Sequence, residues 1–274
     1  MARFDILVHV RRHEGDSLAV AAALALAKRL DAHLSGLHVA SLGTIAYSTL
    51  ETVVFQVQEA DDLYNAALAQ QEGWLRRLAA AGVEGEWLVA QGEPVEAICH
   101  AARWCDLVVA ERPQLNAEAP VGWGVVSRTV FGAGVPVVVV PETAKPTSVG
   151  ERVLVAWNHS REAARAIHGA LPLLGRAQQV IVLDGAEQTN LVGARHLPAL
   201  DLAAHFERHG VNAEFRPFTV GSGYGAAILD AAHVAQSDLI VMGAWGHSRI
   251  AELVLGGATR HLFQHSDVPL FVAH

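Results

Sequence analysis

Apolar positions along the chain fall into two recurring arrangements: short, unbroken β-rich runs and longer Ala/Leu-rich stretches with helical spacing. Phe4 to Val10 is a run of the first kind, and the segment Ser17 to Leu30 after it is too long for a strand and opens on a serine suited to cap a helix. The alternation then continues. Leu34 to Val39 predicts a strand and, after a long connection, Ala60 to Ala81 predicts a helix ended by Gly82. Glu86 to Val89 is a third strand, Pro94 to Trp104 a helix, Leu107 to Ala110 a buried strand, Ser127 to Phe131 the end of a short helix and Pro136 to Val140 a fifth strand. Strands that alternate with helices and lack a polar face predict an α/β fold with a mainly parallel sheet covered on both sides.

Pro141 to Glu151, with two prolines, Ser, Thr and Gly, breaks the pattern as a linker would, and afterwards the order repeats. Strands are expected at Val153 to Trp157, Val180 to Leu183, Phe215 to Phe218, Leu239 to Met242 and Pro269 to Val272. Helices are expected at Ser160 to Leu174, Leu200 to His209, Gly225 to Ala235 and Ala258 to His265. Three landmarks recur in the same order: Asp5-Ile-Leu-Val with Arg152-Val-Leu-Val, Cys105-Asp-Leu-Val-Val-Ala with Ser237-Asp-Leu-Ile-Val-Met, and Gly134-Val-Pro-Val-Val-Val with Asp267-Val-Pro-Leu-Phe-Val. The expectation is two tandem five-stranded, doubly wound, Rossmann-like domains, residues 1–145 and 146–274. Such sheets take ligands at the carboxyl ends of their strands, where the strand order reverses.

Composition narrows the function. The 274 residues are 51% hydrophobic and 18% charged, which suits a packed globular protein rather than a disordered one. A net charge of −8, with Lys28 and Lys145 the only lysines, disfavours nucleic acid and anionic membranes as partners. Cys99 and Cys105 fit neither a paired zinc motif nor a disulfide framework. No leader pattern precedes Arg3, and the apolar run Leu18 to Ala27 is about half of what spans a bilayer, so a cytoplasmic location is expected.

The most informative stretch is Gly243-Ala-Trp-Gly246, then nine residues, then Gly256-Gly257-Ala258-Thr259 opening a helix. Glycines admit close backbone approach to an oxyanion, and a helix start adds N–H donors at its positive end. The P-loop spacing is absent and no lysine is near, so charge neutralisation falls to Arg249, Arg260, His247 or a metal ion. Tight turns around a helix would use the same glycines.

On these residues the chain resembles a tandem universal stress protein. The family's nucleotide motif is Gly, two residues, Gly, nine residues, Gly and then Ser or Thr; Gly243, Gly246 and Gly256 match it, and Gly257 departs from it. Thr259 is placed to return the missing hydroxyl from the helix's first turn. Where the family has a strand ending in Asp-Gly-Ser, this chain has Val153-Leu-Val-Ala-Trp-Asn-His-Ser, with Asn158 in place of the Asp that meets the nucleoside. The resemblance implies ATP binding, with Mg or Mn able to bridge the phosphates. It nominates Ala156, Trp157, Asn158 and Leu183 for the nucleoside, and Gly243, Gly246, His247, Gly256, Gly257 and Ala258 for the phosphates, to which the charge argument adds Arg249 and the hydroxyl argument Thr259. It also implies pairing through the last strand, which the two halves would satisfy within one chain as a pseudo-dimer, and it leaves a homodimer open.

The first half departs further. Glu111-Arg-Pro-Gln follows its fourth strand with no glycine at the first two motif positions, and Trp123 is expected where the third would align. Residues 1–145 carry a net −6 and residues 146–274 a net −2, so an anionic ligand favours the second half.

Other constellations are weaker. His205 with His209 and His261 with His265 have helical i, i+4 spacing, but no third metal ligand accompanies either pair. Gly221-Ser222-Gly223 is shifted by one residue from a hydrolase nucleophile elbow, and Ser248 is the other serine with a nearby histidine. Glu252 or Asp184 would position a water or divalent ion if ATP were turned over, although Glu252 also reads as a solvated residue opposite Ile250, Leu253 and Val254. Ile45 to Val57 reads either as a lid or docking surface or as a packing arm. A nucleotide-free scaffold and a slow ATPase are the alternatives to a nucleotide-binding switch.

Overall fold

The computed structural model describes residues 3–11, 17–41, 50–113, 124–144, 148–185, 200–244 and 257–274, with the side chains of residues 50–57 excepted. Among these, the residues up to Glu142 form one compact unit and those from Thr143 a second.

The first unit runs β1 (Asp5–His9), α1 (Leu18–Leu30), β2 (His33–Ala40), α2 (Leu50–Leu68), α3 (Gln71–Ala81), β3 (Gly85–Gln91), α4 (Pro94–Ala101), β4 (Leu107–Arg112), α5 (Val125–Gly132) and β5 (Val137–Pro141). Its strands lie in the order β3-β2-β1-β4-β5, and the recorded pairings are parallel. Ile6, Leu7, Val8 and Leu107 to Ala110 are at most 1% exposed, so the central strands are covered on both faces and need no polar side. Ser17 caps α1 by accepting from Val20 N, and Asp31 ends it in the left-handed region at φ 54°.

One helix departs from the expected pattern. The single helix predicted over 60–81 is two helices, because the chain tightens at Ala69 and Gln70, where Gln70 N donates to Ala67 O. That same carbonyl accepts from Trp87 Nε1 at 2.9 Å, and α3 then buries Trp74 and Leu78. No Gly or Pro marks the break; a tertiary hydrogen bond accompanies it. The helix α2 also begins at Leu50, inside the segment read as an apolar connection, while 42–49 lie outside the described residues.

The second unit runs β6 (Arg152–Trp157), α6 (Arg161–Leu174), β7 (Gln179–Gly185), α7 (Leu202–Arg208), β8 (Ala213–Phe218), α8 (Tyr224–Val234), β9 (Leu239–Gly243), α9 (Gly257–His265) and β10 (Leu270–Ala273). Its order is β10-β9-β6-β7-β8, again parallel. Pro141 belongs to β5, facing Arg112, so the linker is shorter than expected at its start. Among the described residues, no helix is long and apolar enough to cross a membrane.

Candidate functional site

In the second unit the chain steps from β6 outward through β7 to β8, then returns to lay β9 on the other side of β6. The order therefore reverses between β6 and β9, and their carboxyl ends bound the crevice where a parallel sheet takes its ligand. Ala156 pairs with Met242 on one side and Leu183 on the other, and Trp157 pairs with Asp184.

The structure brings four of the nucleoside candidates to this edge, with unequal access. Trp157 and Leu183 are buried into the core, Ala156 is half-buried and Asn158 is exposed. Asn158 Oδ1 accepts from Ser160 N at 3.2 Å and from Ser160 Oγ at 2.7 Å, and Ser160 Oγ in turn accepts from Ala163 N at 3.1 Å. Asn158 thus helps to hold the start of α6, a local turn that Asn and Asp share. Sequence reasoning missed His159, which sits in the left-handed region at φ 57° with its ring against Trp157, 5.0 Å between centroids. Its Nε2 lies 3.3 Å from Asp184 Oδ1. The available signal was its polar position directly after the strand's end, since His is among the residues enriched at positive φ.

The phosphate candidates divide differently. A Cβ on Gly243 would stand 2.3 Å from Ala163 N and 2.5 Å from the carbonyl carbon of Glu162, so this glycine lets the first turn of α6 close onto β9. Gly257 is exposed at the start of α9, and a Cβ there would meet nothing within 4 Å. The absent hydroxyl is therefore not excluded by space. Ala258 is half-buried beside it. Gly246, His247, Arg249 and Gly256 lie outside the described residues, as do Ser248 and Glu252.

Thr259 is 5% exposed and shares the buried stripe of α9 with Leu262 and Phe263, three and four residues on. Ser127 is likewise buried in α5, as the third residue of its helix.

The first turns of α6 and α9 differ electrically. Glu162, in the first turn of α6, is buried; burial alone would raise its pKa, but hydrogen bonds from Arg161 and the backbone, with Arg161's charge, hold it below the usual value. A carboxylate thus already faces the positive end of α6. The first turn of α9 contains no acidic residue.

At the matching place in the first unit, β4 continues into Glu111 where β9 ends in Gly243. Ser17 Oγ donates to Glu111 Oε2 at 2.9 Å, and Arg11 Nη1 is 3.5 Å from Oε1. Counted along the sequence, Gly124 immediately precedes the first residue of α5 as Gly256 precedes Gly257, so the third glycine of the spacing aligns with Gly124 and Trp123 precedes it.

The histidine pairs are close, with ring centroids 4.5 Å apart for His205 and His209 and 4.6 Å for His261 and His265. His205 also meets His168 edge-on at 5.1 Å, and its pKa is lowered by burial and then by His209 and His168. Among the described residues no group of three or more His, Cys, Asp or Glu is arranged to hold a metal ion.

Comparison with known proteins agrees with the doubled fold. The model of the universal stress protein family matches residues 4–141 and again 150–274. A universal stress protein from Archaeoglobus fulgidus superposes over 98% of this chain and 95% of its own, with TM-score 0.69 at 20% identity. A putative universal stress protein from Pseudomonas aeruginosa does so over 99% and 93%, with TM-score 0.61 at 14% identity. A family protein from Arabidopsis thaliana with AMP bound matches 51% of this chain and 92% of its own, at 18% identity and TM-score 0.34. No curated protein matches the chain.

Proposed function

We propose that this chain, which belongs to the universal stress protein family and carries two of its domains, binds an adenine nucleotide in its second half and uses it as a stress-response signal with little or no turnover. The observation that carries the reading is the crevice at the carboxyl ends of β6 and β9. From β9 the chain leads to α9, whose first turn holds no acidic residue and keeps Gly257 exposed and Ala258 half-buried. The spacing of Gly243, Gly246 and Gly256 supports it. In this reading ATP lays its phosphates toward Gly246, His247, Arg249, Gly256, Gly257 and Ala258, with Mg or Mn between them, and its nucleoside toward Ala156 and Asn158. The chain works in the cytoplasm, where its two free cysteines stay reduced. Pairing of the two halves within the chain belongs to the same reading.

The test is direct. Purified protein is denatured and assayed for released nucleotide, then titrated calorimetrically with ATP and AMP, with and without Mg. Micromolar binding, about −8 kcal/mol, is expected for wild type and is lost in Gly246→Val. Gly257→Ser, for which there is room, is expected to bind more tightly. Neither carried nucleotide nor heat at micromolar protein would leave the scaffold reading. ADP release that needs Mg and Gly246 would favour a slow ATPase.

A further inference from the structure

The order of strands in the first unit also reverses, between β1 and β4, and what stands at that point is a side chain of the protein itself. Glu111 is held from two directions. Ser17, at the start of α1, donates to Oε2, and Arg11, just past the end of β1, faces Oε1. The Glu111 side chain is 15% exposed and that of Arg11 is 32%, so the pair is partly withdrawn from water, where charge pairing weakens less.

Among the described residues, Arg11 is the cation placed against this carboxylate. His9 is buried beneath it, with its pKa pushed down to about 4 by burial first, then by Arg11 and His38. It is therefore neutral at physiological pH. One ring nitrogen of His38 bonds Val10 O at 2.8 Å. The links also differ in length: β1 ends at His9 and α1 begins at Leu18, whereas β6 ends at Trp157 and α6 begins at Arg161, whose first turn comes close enough to demand Gly243.

We propose that Glu111 is an internal oxyanion: its carboxylate fills the place at the first unit's switch point that a free carboxylate or phosphate would take between Arg11 and Ser17, and so keeps this half closed to ligand. The acid is a stopper and not just a bulky replacement for glycine. Its removal leaves a cationic and hydroxyl-lined gap that an external oxyanion re-occupies.

Chemical rescue of the full chain tests this. Wild type, Glu111→Ala and Glu111→Ala combined with Arg11→Met are melted in sodium chloride, acetate and phosphate at equal ionic strength. Glu111→Ala is expected to melt several degrees lower than wild type in chloride and to recover in acetate or phosphate, while the other two proteins respond alike to all salts. Recovery in acetate alone identifies a carboxylate-sized gap, and recovery in phosphate alone identifies a phosphate group. An equal response of wild type and Glu111→Ala to every salt overturns the proposal, as does recovery that survives loss of Arg11. Should Glu111→Ala not fold, Glu111→Ser shortens the side chain, opens the same gap and keeps a polar group beside Ser17. Its Arg11 guanidinium NMR signal is then expected to move on phosphate addition, unlike that of wild type, and a signal that stays still overturns the proposal. No nucleotide is present, so this result stands or falls apart from the reading of the second half.

Discussion

The two units solve the same packing problem with opposite residues. In the second, the link from β6 to α6 is so short that the first turn of α6 lands on the end of β9, and only a residue without a Cβ fits at 243. In the first, the link from β1 to α1 is longer and a glutamate occupies the corresponding position, bonded to the helix cap. Gly243 therefore has a packing reason that is independent of any ligand. The same close approach puts the start of α6 at the crevice, so the geometry that excludes a side chain also shapes the place where a ligand would lie.

The largest expected effect comes from forcing the first unit's solution onto the second. Gly243→Ala places a methyl group against backbone atoms of Glu162 and Ala163, which cannot swing aside as a side chain would. Overpacking of this kind costs up to about 3 kcal/mol, and the loss should appear as a lower denaturant midpoint with an unchanged slope. Gly257→Ala, at a position with open space, should change stability little. Equal stability of Gly243→Ala and wild type would break the comparison.

Acid sharpens it from the other side, because His9 stands in the first unit where the second has Ala156. The folded pKa of His9 is depressed from 6.5 to about 4, so between those values the unfolded chain binds a proton that the folded chain refuses. Stability is intact above about pH 6.5 and falls as pH drops toward 4. At about 1.4 kcal/mol for each unit of separation between the two values, the loss is at most about 3.5 kcal/mol. His9→Gln should flatten the slope of unfolding free energy against pH in that window. A variant as steep as wild type would show that His9 is not the group responsible.

Much of this was readable beforehand for a physical reason. Buried parallel strands such as Leu107 to Ala110 or Leu239 to Met242 appear as apolar runs because both faces are covered, and Ser17 and Ser160 announce their helices because free N–H groups need a partner. The doubling followed from the same runs. What escaped was set by contacts distant in sequence. The break at Ala69 and Gln70 goes with a bond from Trp87, and Thr259 is placed by the side of α9 that meets the core. The glycine at 243 was legible as part of a motif, but its closeness to Ala163 was not, since nothing in the motif states how near α6 comes. Glu111 was legible as an acid in the wrong place; that Ser17 and Arg11 hold it was not.

The smallest effect tests the opposite end of the sheet, where the repeat keeps an aspartate but uses it unequally. Asp238, just before β9, accepts from Ser148 Oγ and from the backbone N–H groups of Gly150, Glu151 and Arg152, and so fastens the segment that enters β6. Asp106, just before β4, accepts from the backbone N–H of Asp5. Several hydrogen bonds to one carboxylate are not additive, and the site is only partly buried, so Asp238→Ala is expected to cost about 2 kcal/mol and Asp106→Ala about 1 kcal/mol. Hydrogen exchange gives the sharper reading: Gly150, Glu151 and Arg152 amides should lose protection in Asp238→Ala, while the Asp5 amide should respond only to Asp106→Ala. If the two variants lost the same stability, the extra donors on Asp238 would contribute nothing net. The conserved landmark in the two halves would then be doing one job, that of anchoring the first strand of each unit, with Ser148 and Gly150 as bystanders.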